Sequence, residues 1–273
     1  MINVFRMQMC VIWNRKSTIA MYVLMCGLVG MNFIANLKSY AGYNVWNMYH
    51  PMRLAFLGDY GSYSLTFMQY FPFLVVVPAA FTYFSDRNCR ENIIIETKTN
   101  RQAYYMGTML AVFVTTFLVF AVPFLLEMIL NCIAFPIQAL GDQSNVSMFE
   151  NSSMIELYLF SELWVLNPFL YTFWMIVLFG IVAGILACFA SVCSLMRIVR
   201  FRVLIFIPVY VLLQIIIMLE DVFKLDFSTH YFFYLKLFCS SWLNEWFYLG
   251  TCIVVLLLTG IMLFIKMRKD ELG

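Results

Sequence analysis

The stretch SDRNCRENIIIETKTNR, residues 85–101, places seven charged side chains among seventeen residues of an otherwise apolar chain. Each such side chain costs about 2.5–3.5 kcal/mol at the centre of a bilayer, so the stretch would cost roughly 20 kcal/mol there and is expected to lie in water. Apolar runs at 65–84 and 104–133 flank it. It therefore joins two membrane spans, either as a plain solvated loop or as a helix that contacts a soluble partner.

The composition of the 273-residue chain is that of an integral membrane protein. Hydrophobic residues make up 63% and charged residues 12%, and the mean hydropathy is +0.85, whereas soluble domains carry about 25% charged residues. The net charge of +2 comes without a basic patch outside the loops, which argues against nucleic-acid binding. Proline and glycine are few and scattered, so we expect a single membrane domain over residues 1–273.

Six apolar runs are long enough to cross a hydrocarbon core of about 30 Å as helices. They lie at 18–35, 65–84, 104–133, 163–195, 203–219 and 246–265. Pro72 and Pro78 are expected to kink the second run, and Pro123 to bend the third. In the fourth, the glycines and alanines at 180, 183, 184 and 187 would let another helix approach closely. The sequence thus predicts an all-α membrane protein with six transmembrane helices.

Two further segments are predicted to lie at the membrane surface. Residues 1–16 form an amphipathic interfacial helix, with these side chains on its apolar face: Ile2, Phe5, Met9 and Ile12. Residues 220–245 are rich in aromatic side chains but too charged to span. Because aromatic rings favour the headgroup level, we expect short re-entrant or interfacial helices in the outer leaflet there.

The distribution of basic residues predicts the orientation of the chain. Of the 17 Lys and Arg residues, 13 fall in the termini, in residues 85–101 and in the turn at 196–202, and four fall in the intervening loops. Cytoplasmic segments of membrane proteins carry the excess of Lys and Arg. Six spans with both termini in the cytoplasm satisfy this rule.

Motifs for catalysis or nucleotide binding do not occur in the sequence. It has no phosphate-binding loop, no zinc-protease helix motif and no serine-hydrolase motif, and its eight cysteines include no CxxC pair. We therefore expect no enzyme activity, bound cofactor or metal. Glu127 is the one clear carboxylate within an apolar run. An acid in the membrane is a candidate for proton relay, but its late position in the third run favours the outer headgroup level.

The order of these features resembles the transmembrane subunit of a type-2 ABC exporter. In that family the loop after the second span begins with a charged coupling helix. The matching stretch here is 87–99, followed by NRQAYY at 100–105 where the third span begins. Residues 91–94, ENII, stand in place of the family's E-x-G-T pattern and lack its glycine. Gly107 lies where the family has a lysine.

The resemblance implies a permease subunit that binds no ATP itself. Two copies of a separate ATPase chain would hydrolyse ATP and dock on a coupling helix at 85–101, with these residues as the candidate contacts: Arg90, Glu91, Ile93, Ile94 and Lys98. A second permease subunit, identical or different, would pair across spans one and five. The expected location is a bacterial cell membrane, with surrounding lipid as a further partner.

The apolar spans favour an amphipathic or hydrophobic substrate, such as a peptide toxin or bacteriocin, a drug or a lipid-like molecule. Two other classes stay open. A secondary carrier or another six-span protein without an ATPase is the main alternative, although the two halves of the chain show no repeat. A membrane-embedded enzyme should carry convergent polar groups within its spans, and the sequence shows none.

The orientation can be tested by labelling single cysteines from outside the cell. A membrane-impermeant thiol reagent is expected to modify Asn145→Cys and to spare Asn100→Cys, because the first lies in a loop predicted to be external. Labelling after permeabilisation serves as the control for both positions. The reverse pattern would overturn the orientation and, with it, the cytoplasmic location of residues 85–101.

Overall fold

The computed structural model describes residues 2–45, 48–58, 63–88, 100–137, 157–196, 201–237 and 241–271. Within those ranges the regular structure is entirely helical. The α-helices in chain order are α1 Ile2–Trp13, α2 Lys16–Tyr40, α3 Ser64–Leu74, α4 Thr82–Asn88, α5 Arg101–Ala134, α6 Ser161–Leu166, α7 Pro168–Cys193, α8 Phe206–Phe223, α9 Tyr231–Leu235 and α10 Glu245–Glu271. Short 3₁₀ helices lie at Pro51–Leu54 and Arg202–Ile205.

Five of these helical segments are long and apolar enough to cross a membrane. They are α2, α5, α7, the continuous segment Arg202–Phe223 that contains α8, and α10 as far as Arg268. The structure therefore confirms an all-α membrane protein, with continuous helices for five of the six predicted spans. α5 runs through Pro123 without interruption.

The predicted second span is not one continuous helix. α3 ends at Leu74 and α4 begins at Thr82, with turns between them. Pro78 has no N–H and disfavours helical geometry at the residue before it. The backbone N–H of Val77 instead donates a hydrogen bond to Leu74 O, three residues earlier, at 3.2 Å. The residues of the predicted span are therefore divided between two short helices.

Pro72 lies inside α3, and a partner outside the helix satisfies the carbonyl that it leaves free. A helical proline cannot bond the carbonyl four residues earlier, which here belongs to Met68. The hydroxyl of Tyr231 in α9 donates to that oxygen at 3.2 Å. α9 therefore completes the backbone hydrogen bonding of α3, as buried backbone in an apolar surrounding requires.

Residues 64–88 run beside α5 over most of its length. The ring of Phe67 packs on Phe124, with centroids 6.1 Å apart, and the hydroxyl of Tyr83 donates to Tyr105 O at 2.6 Å. The two α5 positions are separated by roughly 28 Å at 1.5 Å per residue. α2 starts at Lys16 and α4 ends at Asn88 near Tyr105, and we call this end of the bundle the basic end. We call the opposite end, near Phe124, the loop end.

The centre of the bundle is the crossing of α5 and α7. A Cβ atom placed on Gly184 would lie 2.6 Å from the ring of Phe113, and one on Gly180 would lie 2.8 Å from the ring of Phe117. The expected close approach at the small residues is confirmed. In the 18-residue apolar window of α7, 72% of the residues are buried, against 17% in the corresponding window of Arg202–Phe223. α7 is therefore central in the bundle and α8 is peripheral.

The fourth span begins later than the sequence analysis placed it. α6 ends at Leu166, and Asn167 then caps α7, accepting hydrogen bonds on Oδ1 from Phe169 N at 2.9 Å and Leu170 N at 3.3 Å. Pro168 occupies the first turn, where its missing N–H costs nothing. The predicted span at 163–195 therefore divides into a short helix and a span that starts at Pro168.

The N-terminal helix α1 packs against α5 through three of the four residues of the predicted apolar face and through two neighbouring positions. Val4, Gln8 and Ile12 are buried, whereas Ile2 is 64% exposed. These positions follow the i, i+4, i+8 spacing of one helical face. Phe5 and Met9 are half-buried and pack against the same core. The polar Gln8 is buried beside them because of the polar cluster described below.

Residues 220–245 contain a short helix rather than a spanning one in their described part. α8 ends at Phe223, with Lys224 in a left-handed conformation, and α9 is five residues long. The backbone N–H of Leu237 donates to Leu57 O at 3.1 Å, and Tyr234 stacks on Tyr248 with centroids 5.7 Å apart. The described part of this segment thus contains one short helix, while the re-entrant or interfacial helices in the outer leaflet stay a prediction.

The α5–α7 crossing can be tested by adding a single methyl group. Gly184→Ala would press a Cβ into the ring of Phe113 and is expected to lower the stability of the purified protein by about 1–3 kcal/mol, as overpacking does in other cores. The measurement is the thermal unfolding midpoint in detergent. Gly250→Ala in α10 is the matched control, because no atom lies within 4 Å of the added Cβ there. Equal midpoints for the two variants would contradict the close crossing.

Candidate functional site

The residues predicted to contact an ATPase lie outside the part of the chain that the structure describes. They are Arg90, Glu91, Ile93, Ile94 and Lys98, all within residues 89–99. The structure does describe both attachments of that segment. α4 leads into it and ends at Asn88, and Asn100 caps α5 on the other side by accepting a hydrogen bond from Gln102 N at 3.2 Å.

Asp86 corrects the expectation that all of residues 85–101 lie in water. Its side chain is 1% exposed. The carboxylate accepts hydrogen bonds on Oδ2 from Gln8 Nε2 at 3.1 Å and from the Tyr104 hydroxyl at 2.8 Å. Arg15 lies 3.6 Å from Oδ1. A carboxylate buried in an apolar bundle requires such partners, because the loss of water costs several kcal/mol per ion.

The same arginine also joins the carboxylate to the start of α4. Arg15 donates a hydrogen bond to Thr82 Oγ1 at 3.2 Å, and the nearby Thr18 hydroxyl donates to Pro78 O at 2.6 Å. We refer to Gln8, Arg15, Thr82, Asp86 and Tyr104 as the Asp86 cluster. It joins α1, the α1–α2 elbow, α4 and α5 immediately beside residues 89–99.

Glu127 occupies a comparable position near the loop end and is buried within the protein, with 1% exposure. Its late position in the third apolar run had predicted the outer headgroup level. Oε1 accepts a hydrogen bond from Asn32 Nδ2 at 2.7 Å, and Oε2 accepts one from the backbone N–H of Phe56 at 2.9 Å. Asn32 and Asn36 also donate to Leu54 O, at 3.1 and 2.7 Å. Oε2 therefore holds the loop that follows α2 onto α5, and Oε1 holds α2 itself through Asn32.

His50 and Arg53 order the remainder of this loop. The Arg53 guanidinium donates to the Tyr158 hydroxyl at 2.9 Å and lies 5.8 Å from the centroid of the Tyr49 ring. His50 caps the 3₁₀ helix by accepting at Nδ1 from Met52 N, 3.3 Å. Burial, with the nearby Arg53 charge acting in the same direction, lowers the pKa of His50 to about 4. His50 is therefore neutral near pH 7, as its acceptor role requires.

The sequence contained signals for both polar clusters, although none was sufficient alone. Asn32 and Asn36 lie four residues apart in α2, and so do Glu127 and Asn131 in α5, which puts each pair on one helical face. Gln8 interrupts the apolar face of α1 in the same way. Two polar pairs on two apolar helices predict that the helices contact each other there. The pairs do not indicate which loop is bound at the same contact.

An apolar cleft lies between α7, α8, α9 and α10. Its walls include Ile185, Leu213, Tyr231, Phe247 and Tyr248. The cleft has a volume of about 60 Å³, whereas pockets for small molecules usually measure about 300–1,000 Å³. In this conformation it is a narrow slot between helices.

The role of Glu127 can be tested by removing its acceptors. Glu127→Leu is expected to leave the Phe56 N–H and one of the two Asn32 Nδ2 hydrogens without an acceptor, each at a cost of about 1–3 kcal/mol, and to lower the unfolding midpoint accordingly. Glu127→Gln keeps one acceptor and should lose less. The matched control is Glu162→Leu, because that carboxylate is exposed. If Glu127→Leu unfolds at the same temperature as the control variant, the carboxylate does not hold the loop.

The two polar clusters and the cleft lie at separate places in the bundle. The Asp86 cluster is at the basic end, Glu127 is near the loop end, and the cleft is beside α10. No three His, Cys, Asp or Glu side chains come together as a metal site in the described ranges. Comparisons of the chain with protein-family models, curated proteins and solved structures find no match.

Proposed function

We propose that the chain is the transmembrane subunit of an ATP-driven exporter of the type-2 ABC class. It would work with two copies of a separate ATPase chain and with a second permease subunit in a bacterial cell membrane. The observation that carries the proposal is the setting of residues 89–99. This charged segment connects α4 to α5 along the chain, and the Asp86 cluster joins both of these helices to α1 and to the start of α2.

This setting suits a segment that transmits the movement of an ATPase to the membrane helices. The coupling helix predicted at 85–101 then lies in the part between α4 and α5, residues 89–99, with Ile93 and Ile94 in a cleft of the ATPase and Arg90, Glu91 and Lys98 at the rim. When the ATPases close on ATP, the movement passes to α4 and α5. The buried Asp86 makes α1 and the start of α2 move with them, as a rigid-body change requires.

Six membrane crossings follow if the broken segment α3–α4 counts as the second. Its neighbours on α5, from Phe124 to Tyr105, lie about as far apart as the hydrocarbon core is thick. Broken helices are tolerated at membrane depth where protein covers them, and Phe71 and Val76 are fully buried. With six crossings both termini lie on the cytoplasmic side, in agreement with the basic residues.

The peripheral helices suit a dimer and a hydrophobic substrate. In the central windows of α2 and of the Arg202–Phe223 span, 28% and 17% of residues are buried. Their apolar outer faces are therefore available to the second permease subunit, in line with pairing across spans one and five, and to lipid. The apolar cleft beside α10 would widen when α8 and α10 move away from α7, to admit an amphipathic or hydrophobic substrate.

The proposal predicts that two isoleucines of the segment bind the ATPase. Ile93→Asp combined with Ile94→Asp should weaken co-purification of an ATP-hydrolysing partner at least about thirtyfold, because losing a central anchor costs about 2 kcal/mol or more. The measurements are ATPase activity of the tagged permease purified from its own membranes and transport at matched permease levels.

The matched control places the same two changes in a loop on the other side, Ile137→Asp with Ile155→Asp. This variant should keep its ATPase. Full ATPase binding and transport by the Ile93–Ile94 variant would reduce residues 85–101 to a solvated loop. A wild-type permease that purifies without any ATP-hydrolysing partner would favour a carrier that works alone.

A further inference from the structure

A second pocket, distinct from the apolar cleft, opens at the basic end. Three elements form it: the α1–α2 elbow with Arg15, Lys16 and Ser17, the start of α4 and the turn before it with Ser85 and Phe81, and the 3₁₀ helix with Arg202. Its volume is about 450 Å³, which lies within the range of small-molecule pockets. Segments far apart in sequence thus build a space large enough for a headgroup-sized ligand.

The charge of the pocket wall is positive. Arg15, Lys16 and Arg202 line it, and no Asp or Glu is among its described lining residues. Asp86 lies just behind the wall and engages Arg15 at 3.6 Å. The charges of Lys16 and Arg202 therefore remain in excess. Both side chains are exposed, so they can reach a ligand at the mouth of the pocket.

The start of α2 adds backbone donors to the same wall. The first helical hydrogen bond there runs from Thr18 N to Arg15 O at 3.1 Å, so the N–H groups of Lys16 and Ser17 precede it. The Arg15 side chain does not cap the helix, and the first turn contains no acidic residue. The N-terminus of a 25-residue helix favours negative charge. Two cations and these amides together suit a phosphate group.

The surroundings of the pocket favour a lipid over a soluble anion. Ile19 and Val23 continue the Lys16 face of α2 and are 50% and 62% exposed. Phe201 and Val203 flank Arg202 and are 70% and 72% exposed. These apolar surfaces begin where the cations end, as is typical of the boundary between headgroups and acyl chains.

We propose that this pocket binds the phosphate of an anionic membrane lipid. Lys16, Arg202 and the first amides of α2 hold the phosphate, and Ser17 and Ser85 contribute hydroxyls. The acyl chains lie along the exposed apolar face of α2. The site is independent of what the chain transports and requires only that the basic end faces a leaflet rich in anionic lipid.

The test is a lipid titration of the purified full-length chain in detergent, followed by native mass spectrometry. Dioleoylphosphatidylglycerol is the anionic probe, and dioleoylphosphatidylcholine is the neutral one. The wild type should bind the anionic lipid more tightly. Lys16→Gln with Arg202→Gln should weaken that binding about thirtyfold, since each basic residue near an anionic surface contributes about fivefold.

The matched control removes two charges elsewhere at the basic end, Lys266→Gln with Arg268→Gln, and should leave the affinity unchanged. Lys16→Arg with Arg202→Lys keeps both charges and should restore most of the binding. Inorganic phosphate in large excess should fail to displace the lipid. Equal affinity of the Lys16–Arg202 variant and the wild type would overturn the proposal, and so would full displacement by inorganic phosphate.

Discussion

The basic end of the molecule depends on one buried carboxylate. Asp86 is almost fully enclosed, and a charge in that position is stable only with partners that replace water. Gln8, Arg15 and Tyr104 supply them from three other elements. The need to satisfy this charge explains why α1 lies against α5 through a face that includes a glutamine. It also holds the end of α4 against the start of α5 through Tyr104.

The broken second crossing follows from a related constraint on the backbone. Pro72 and Pro78 each remove a donor, and an apolar surrounding offers no water to the carbonyls left over. Tyr231 donates to Met68 O, the carbonyl that Pro72 leaves free, and Thr18 donates to the carbonyl of Pro78 itself, which lies in the turns between α3 and α4. Each proline is thus associated with a tertiary contact, one to α9 at the loop end and one to α2 at the basic end. The interruption between α3 and α4 is therefore linked to contacts with α9 and α2 that a straight helix would not make.

Hydropathy and spacing predicted the parts of the fold that depend on local sequence. Five spans and the close approach at the small residues of α7 follow from the composition of single segments. The late start of α7 also has a local cause, the pair Asn167 and Pro168. These features require no knowledge of what packs against them.

The two buried carboxylates could not be predicted in the same way. A hydropathy scale treats Asp86 as one of seven charges in a loop, because it cannot include a glutamine 78 positions earlier. Likewise, Glu127 gains its role from Asn32, 95 positions away. For the same reason the apolar pattern of α1 did not identify Gln8 as a buried residue or Ile2 as an exposed one. Long-range pairing of polar groups decided these positions.

The most direct test of this account is a double-mutant cycle between α1 and α4, with Gln8→Leu, Asp86→Leu and the pair together. The free energy of unfolding in detergent is measured for all four proteins. Residues in one hydrogen-bonded network couple by about 0.5–3 kcal/mol. The loss of free energy of unfolding in the paired variant should therefore be smaller than the sum of the two single losses, by at least about 0.5 kcal/mol. Strict additivity would contradict the claim that the buried carboxylate joins α1 to the rest of the bundle.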